Sequence, residues 1–200
     1  MNKPATLILG STSRYRRELL SRFRLPFEVV APDVDETPQR GEAPSALAQR
    51  LALEKATEVA RRFPNAVVLG SDQVADLHGK PVGKPGDHAH AALQLRRMSG
   101  QRVVFQTAVA VVQVASAEVI FSRSALVPVT VKFRELSDAE IQRYLQIDQP
   151  YDCAGSAKSE SLGIALLESI DSSDPTALVG LPLIQTCALL RLAGIDPLMS

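Results

Sequence analysis

Ala66-Val67-Val68-Leu69-Gly70-Ser71-Asp72-Gln73 is the stretch on which the fold turns. Four consecutive apolar residues predict a buried strand over 66–69, and the polar residues behind them predict its exit. The carboxyl end of a buried strand is a customary place for chemistry in α/β proteins, and an acid, Asp72, stands there. Upstream, Leu47, Leu51, Ala52, Val59 and Phe63 recur at helical spacing and predict a helix from about 45 to 63, with Glu54, Lys55 and Glu58 on more polar faces. Before that helix lie two short apolar runs, 6–10 and 27–31, separated by a segment with Leu19, Leu20 and Phe23 at helical spacing. Downstream, His78-Gly79 marks a tight turn. A helix over 88–98 follows, then two β-rich runs, 102–114 and 118–133, that suggest an antiparallel ribbon. Ser137 with Glu140 three residues on is a capping-box pattern that starts another helix. A strand over 164–170 and a helix over 183–193 close the chain. The fold class is therefore α/β with a mixed sheet. No linker divides the sequence, so 1–200 reads as one domain, with Pro81 to Gly86 a candidate hinge between two lobes.

Bulk properties narrow the function. The chain is long enough, and at 46% hydrophobic residues apolar enough, to bury a sizeable core. Lysine plus arginine and aspartate plus glutamate both number 22, so no global field draws in a nucleic-acid polymer or an anionic membrane. Any phosphate binding must be local. Residues 1–9 hold one lysine and a run too short to span a membrane, without a signal-peptide cleavage region, which points to the cytoplasm. Cys153 and Cys187 form neither a disulfide framework nor a paired zinc spacing.

Three segments could carry chemistry. Ser11-Thr12-Ser13-Arg14-Tyr15-Arg16-Arg17 sets hydroxyls and three guanidinium groups between a strand and a helix amino terminus, a place that suits anions. The same residues also fit an ordinary serine cap followed by a solvated basic face. Asp33, Asp35 and Glu36, with Asp72, supply carboxylates suited to a hard divalent cation, although an acidic loop after a strand is commonly just solvated and Asp72 could cap a turn. Lysines stand at 55, 84 and 158. Gly83-Lys84-Pro85 is not a P-loop, because Gly79 and Gly83 are separated by three residues rather than four and Pro85 replaces the hydroxyl residue. His88 and His90, two apart on a helix, do not face one another and read as surface residues rather than a metal pair. Neither a Gly-x-Ser-x-Gly elbow nor a histidine placed beside Cys153 supports nucleophilic catalysis.

Taken in order, these pieces resemble the Maf family of nucleotide pyrophosphatases from about Leu7 to Gly194. The resemblance rests on Leu9-Gly10-Ser11-Thr12-Ser13 with Arg16-Arg17-Glu18-Leu19-Leu20, Val34-Asp35-Glu36, Leu53-Glu54-Lys55-Ala56 and Gly70-Ser71-Asp72-Gln73. It continues through Gly83-Lys84-Pro85, Tyr151-Asp152-Cys153-Ala154-Gly155 and Val179-Gly180-Leu181-Pro182-Leu183. It implies an elongated mixed sheet flanked by helices, two lobes with a cleft as in inosine-triphosphate pyrophosphatases, and a homodimer. It implies hydrolysis of a nucleoside triphosphate to the monophosphate and pyrophosphate with a divalent cation, Mg²⁺ or Mn²⁺. Asp72 would be the proton acceptor, Glu36 and Asp72 the metal ligands, and Ser11, Arg16, Lys55 and Lys84 the phosphate-binding residues.

Branches of this family differ at three base-proximal positions, here Tyr15, Gln73 and Glu160. Tyr, Gln and Glu resemble the 7-methyl-GTP branch, whereas the dTTP/UTP branch shows Arg, Thr and Gln. The chemistry agrees: methylation at the purine 7-position makes the base cationic, which suits a tyrosine face and a carboxylate. The rival expectations are a dTTP/UTP pyrophosphatase and a nucleotide-binding regulator of cell division without turnover. Arg14, Ala157 and Ser161 depart from the family pattern, Arg14 standing where proline is usual.

Overall fold

Short apolar runs become parallel strands here because helices cover both faces of the sheet. In the computed structural model, which describes residues 6–199, β1 (Leu7–Gly10) leads to α1 (Arg14–Ser21), β2 (Glu28–Val30) and α2 (Pro44–Arg62). Then come β3 (Val67–Leu77), β4 (Lys80–Val82), α3 (His88–Met98), β5 (Arg102–Ala115) and β6 (Glu118–Phe133). The chain ends through α4 (Asp138–Asp148), β7 (Leu167–Asp171) and α5 (Leu183–Leu192). These described strands make one mixed sheet in the order β2-β1-β3-β5-β6-β7, with β4 beside β3. β1 runs parallel to both β2 and β3, while β3, β5, β6 and β7 are successively antiparallel. The fold class is the α/β mixed sheet that the sequence predicts. The sequence reading of residues 1–5 lies outside the described residues.

Three buried clusters divide the sheet along its length. One lies between α2 and the sheet, around Ala52, Ala56, Val68 and Val112. The opposite face packs against α1 and α5 through Leu9, Leu20, Leu69 and Leu190. Beyond them, Phe105, Val129 and Phe133 meet α3 and α4 through Leu95, Ile141 and Leu145. The long strands β3, β5 and β6 run through both regions, so two lobes share one set of strands. Thr107 of β5, paired with Gln73 of β3, marks the border.

The path of α2 explains the geometry that follows. Pro44 opens it, as a residue with no N–H to satisfy can. Ala48, Ala52, Ala56 and Ala60 form a fully buried stripe four residues apart, and their small side chains let the helix sink onto β3. Gly70 completes the approach: a Cβ there would stand 2.4 Å from the Ala52 carbonyl oxygen and 2.6 Å from the Ala56 nitrogen. Lys55 consequently lies on the buried face at 4% exposure, not on a polar face as its place in the apolar pattern predicts.

Two strand boundaries also differ from expectation. β3 runs on to Leu77 because its polar residues stay paired with β5 as far as Asp76 opposite Val104. The segment predicted as a strand from 164 begins instead as a tight 3₁₀ turn, Leu162–Leu166, where a Cβ on Gly163 would meet the Lys158 carbonyl oxygen at 2.5 Å. A turn signal and a cap signal hold. His78 and Gly79 both take positive φ, as a two-residue hairpin requires, and both bonds of the Ser137/Glu140 capping box are present.

Candidate active site

β1 pairs with β3 only as far as Gly70, and β4 joins the same edge only at Ala75. Between them, residues 71–74 have no strand partner on that side among the described residues. Asp72 and Gln73 therefore sit in an opening of the sheet, at the border of the two lobes. Side chains alternate along a strand, so these two neighbours face opposite ways.

Asp72 faces α2 and is 7% exposed. The Lys55 ammonium donates to Asp72 Oδ1 at 2.7 Å and is 2.7 Å from Glu36 Oε1. A cation this buried persists because two carboxylates compensate its desolvation. Partial burial would raise the Glu36 pKa, but the Lys55 hydrogen bond and charge, with Lys84 and Arg16 farther off, hold it below the ordinary carboxylate value. Lys84 itself is exposed. Asp33 and Asp35 stay outside this cluster: the Asp33 N–H donates to Glu58, and Asp35 accepts from the Thr37 N–H at 2.9 Å.

The loop before α1 brings the second set. Ser13 caps the helix, accepting from the Arg16 N–H at 3.4 Å, so the bland reading of this segment is partly realised. Ser11 is buried, and its Oγ lies 3.4 Å from Arg16 Nη1. Arg16 Nε donates to the Gly180 carbonyl at 2.9 Å, which Ser71 Oγ also reaches at 3.0 Å. Burial pushes the Arg16 guanidinium below its ordinary pKa while Asp72 and Glu36 pull it upward. Arginine ionises far above neutrality, so it stays charged and faces an acidic cluster. Ser11, Arg16, Glu36, Lys55 and Asp72 are thus one neighbourhood, with the charge of Lys84 at its rim.

Tyr15 belongs to a different group. Arg14 folds back, its guanidinium 4.7 Å from the Tyr15 ring centre and hydrogen-bonded to the hydroxyl at 2.8 Å. Lys158 Nζ stands 5.9 Å from the same ring, 3.2 Å from Asp152 Oδ1 and 3.4 Å from the Asp148 carbonyl. Glu160 is exposed beside this lysine; partial desolvation raises its carboxyl pKa, reinforced by Asp148 and Asp152 and opposed by Lys158. Gln73 lies on the face away from Asp72, its amide nitrogen 2.9 Å from Thr107 Oγ1, 3.0 Å from the Ala177 carbonyl and 2.9 Å from that of Leu178.

The remaining candidates are structural. His88 bonds Tyr151 and Gln142, while His90 bonds Asp87, so the two histidines do not converge. The Cys153 thiol is pushed up to about 12 by burial and by Asp152, far from a ready nucleophile at neutral pH.

A family model described as Maf-like protein matches residues 6–193. The chain belongs to the Maf-like family. Among relatives of this Maf-like chain, one from Polaromonas sp. named 7-methyl-GTP pyrophosphatase is 67% identical over 94% of this chain and 85% of its own length. A second with the same name, from Albidiferax ferrireducens, is 63% identical over 96% and 95% respectively. A solved nucleoside-triphosphatase, a dITP/XTP pyrophosphatase from Mycobacterium abscessus, aligns over 98% of this chain and 100% of its own at 16% identity, with a TM-score of 0.48. That likeness is too low to bear on fold or function.

Sequence reasoning about this Maf-like chain misses Thr107, Ser71 as a link to Gly180, and Asp174. Asp174 is 1% exposed and accepts from Thr176 and from the Ile184 N–H at the start of α5, which fixes the loop that carries the 177–180 carbonyls. Thr107 sits inside an apolar β run with no local signal. Only a pairing register places it beside Gln73.

Proposed function

We propose that this chain hydrolyses 7-methyl-GTP to 7-methyl-GMP and pyrophosphate. The observation that carries the reading is the Asp72–Lys55–Glu36 cluster beside Arg16 and Ser11, in the unpaired opening of the sheet. The names of the two relatives, at 67% and 63% identity, support the substrate. Tyr15 already draws two cationic side chains to its ring, which fits a cationic base.

In this reading Asp72 accepts the proton of a water that attacks the α-phosphorus. The water oxygen forms the new P–O bond as the bond to the bridging oxygen breaks and pyrophosphate leaves. Lys55 holds the Asp72 carboxylate in place, and Arg16, Ser11 and Lys84 bind phosphate oxygens.

The donor set fits a hard divalent cation such as Mg²⁺ or Mn²⁺. Glu36 and Asp72 each give one oxygen to Lys55 and keep a second. No cluster of three or more potential ligands forms among the described residues, so substrate phosphates and water would complete the coordination, as is usual for Mg²⁺. When bound, the cation would neutralise charge on the phosphates and the departing pyrophosphate. The family resemblance adds a homodimer. The balance of 22 basic and 22 acidic residues argues against a polyanionic partner, and no described helix is long and apolar enough to cross a membrane.

Asp72→Asn tests the assignment. A general base is worth about 10²–10⁴ in rate, so turnover should fall by that factor with an unchanged circular dichroism spectrum. Wild-type-like turnover would remove Asp72 from the mechanism.

A further inference from the structure

Gln73 is held by its nitrogen. One amide NH₂ has two hydrogens, and here it meets three acceptors: Thr107 Oγ1 and the carbonyls of Ala177 and Leu178. Two of the three are backbone carbonyls, which only accept, so turning the amide over would set its own oxygen against them. Among the described residues no buried side-chain polar atom lacks a partner, so Gln73 Oε1, which receives no bond from them, opens to solvent. Thr107 decides how firmly this holds. It is fully buried, accepts from Gln73 and donates its own hydroxyl hydrogen to the Ala177 carbonyl at 2.9 Å. That donation fixes the hydroxyl's direction, leaving its lone pairs for the amide of Gln73.

We propose that Thr107 is a positioning residue for base selection: with the 177–178 carbonyls it presents Gln73 to the substrate as a hydrogen-bond acceptor only. A residue so presented at the ring N1 and 2-amino side of the base selects guanine and 7-methylguanine, which carry N–H donors at both places. At that side it disfavours adenine, whose N1 is itself an acceptor and which has no 2-amino group. This rests on the proposed function together with the family resemblance, which implies that Gln73 lies at the base. Tyr15 and Glu160 recognise positive charge; Gln73 recognises the direction of a hydrogen bond.

The test is the ratio of kcat/KM for 7-methyl-GTP over ATP in wild type, Thr107→Val and Thr107→Ser. Valine matches threonine in shape but has no hydroxyl, and the Ala177 carbonyl keeps Gln73 as a partner, so the variant is expected to fold. Losing one of three acceptors loosens the amide and should lower the ratio several-fold, up to roughly ten-fold, since sites built around a hydrogen bond discriminate strongly through it. Thr107→Ser, which keeps the hydroxyl, should restore it. Equal losses on both nucleotides in Thr107→Val, or an unchanged ratio, would overturn the inference. A wild-type preference for UTP would sink the proposed substrate alone. The change in the guanine-to-adenine ratio would still decide the role of Thr107, with GTP in place of its methylated form.

Discussion

A carboxylate's partners determine both its ionisation and its use. Asp72 could be singled out from sequence because an acid behind four apolar residues is unusual, and Ser11 and Arg16 because hydroxyls and guanidinium groups precede a helix. Lys55 could be named but not placed. Its own stretch reads as amphipathic helix, and only the alanine stripe pressed against Gly70 carries its ammonium to Asp72 and Glu36. The same dependence on partners gives a pH prediction at Glu140, where the backbone N–H and hydroxyl of Ser137 and the Arg134 guanidinium lower the carboxyl pKa from 4.5 to about 2. A depressed folded-state pKa contributes stability above the unfolded value, and that contribution is lost as pH falls from about 4.5 towards 2. Glu140→Gln keeps a capping side chain without the charge. Its urea midpoint should therefore fall less steeply than that of wild type across this window; parallel slopes would show that Glu140 ionises as freely in the folded chain as in the unfolded one.

At the scale of elements, the contact between α2 and β3 matters most, because it fixes Lys55 over the strand. The atoms a Gly70 side chain would meet, at 2.4 and 2.6 Å, are backbone, so no rotamer change can relieve them. Gly70→Ala should destabilise the protein by about 1–3 kcal/mol or more through overpacking, and should lower kcat as α2 lifts Lys55 from Asp72. A thermal midpoint and turnover equal to wild type would show that the helix yields at little cost. Element types were legible from periodicity and caps. Their ends were less so: hydropathy marks where burial stops, whereas pairing with β5 carries β3 through Ser71, Asp72 and Gln73. The loop network around Asp174 was not legible, because the carbonyls it positions belong to residues of no chemical distinction.

At the scale of the molecule, one set of long strands supports two packed regions, and the candidate site occupies the break in the sheet between them. A mixed sheet flanked by helices was legible in the order of apolar runs; the break was not, since it depends on where β1 ends and β4 begins along β3. The site divides its work across this opening. Basic and acidic groups gather toward α2 and α1, and Gln73 looks to the other face, beside the loop that ends at Gly180. With no net formal charge on the chain, affinity for a triphosphate must come from that local arrangement. The most direct test of the account is pyrophosphate release from 7-methyl-GTP, GTP, dTTP, UTP, CTP and inosine triphosphate, each with Mg²⁺ or Mn²⁺. The highest kcat/KM is expected for 7-methyl-GTP, with none when the metal is withheld; a preference for dTTP or UTP, or no release from any of the six, would contradict the proposed function.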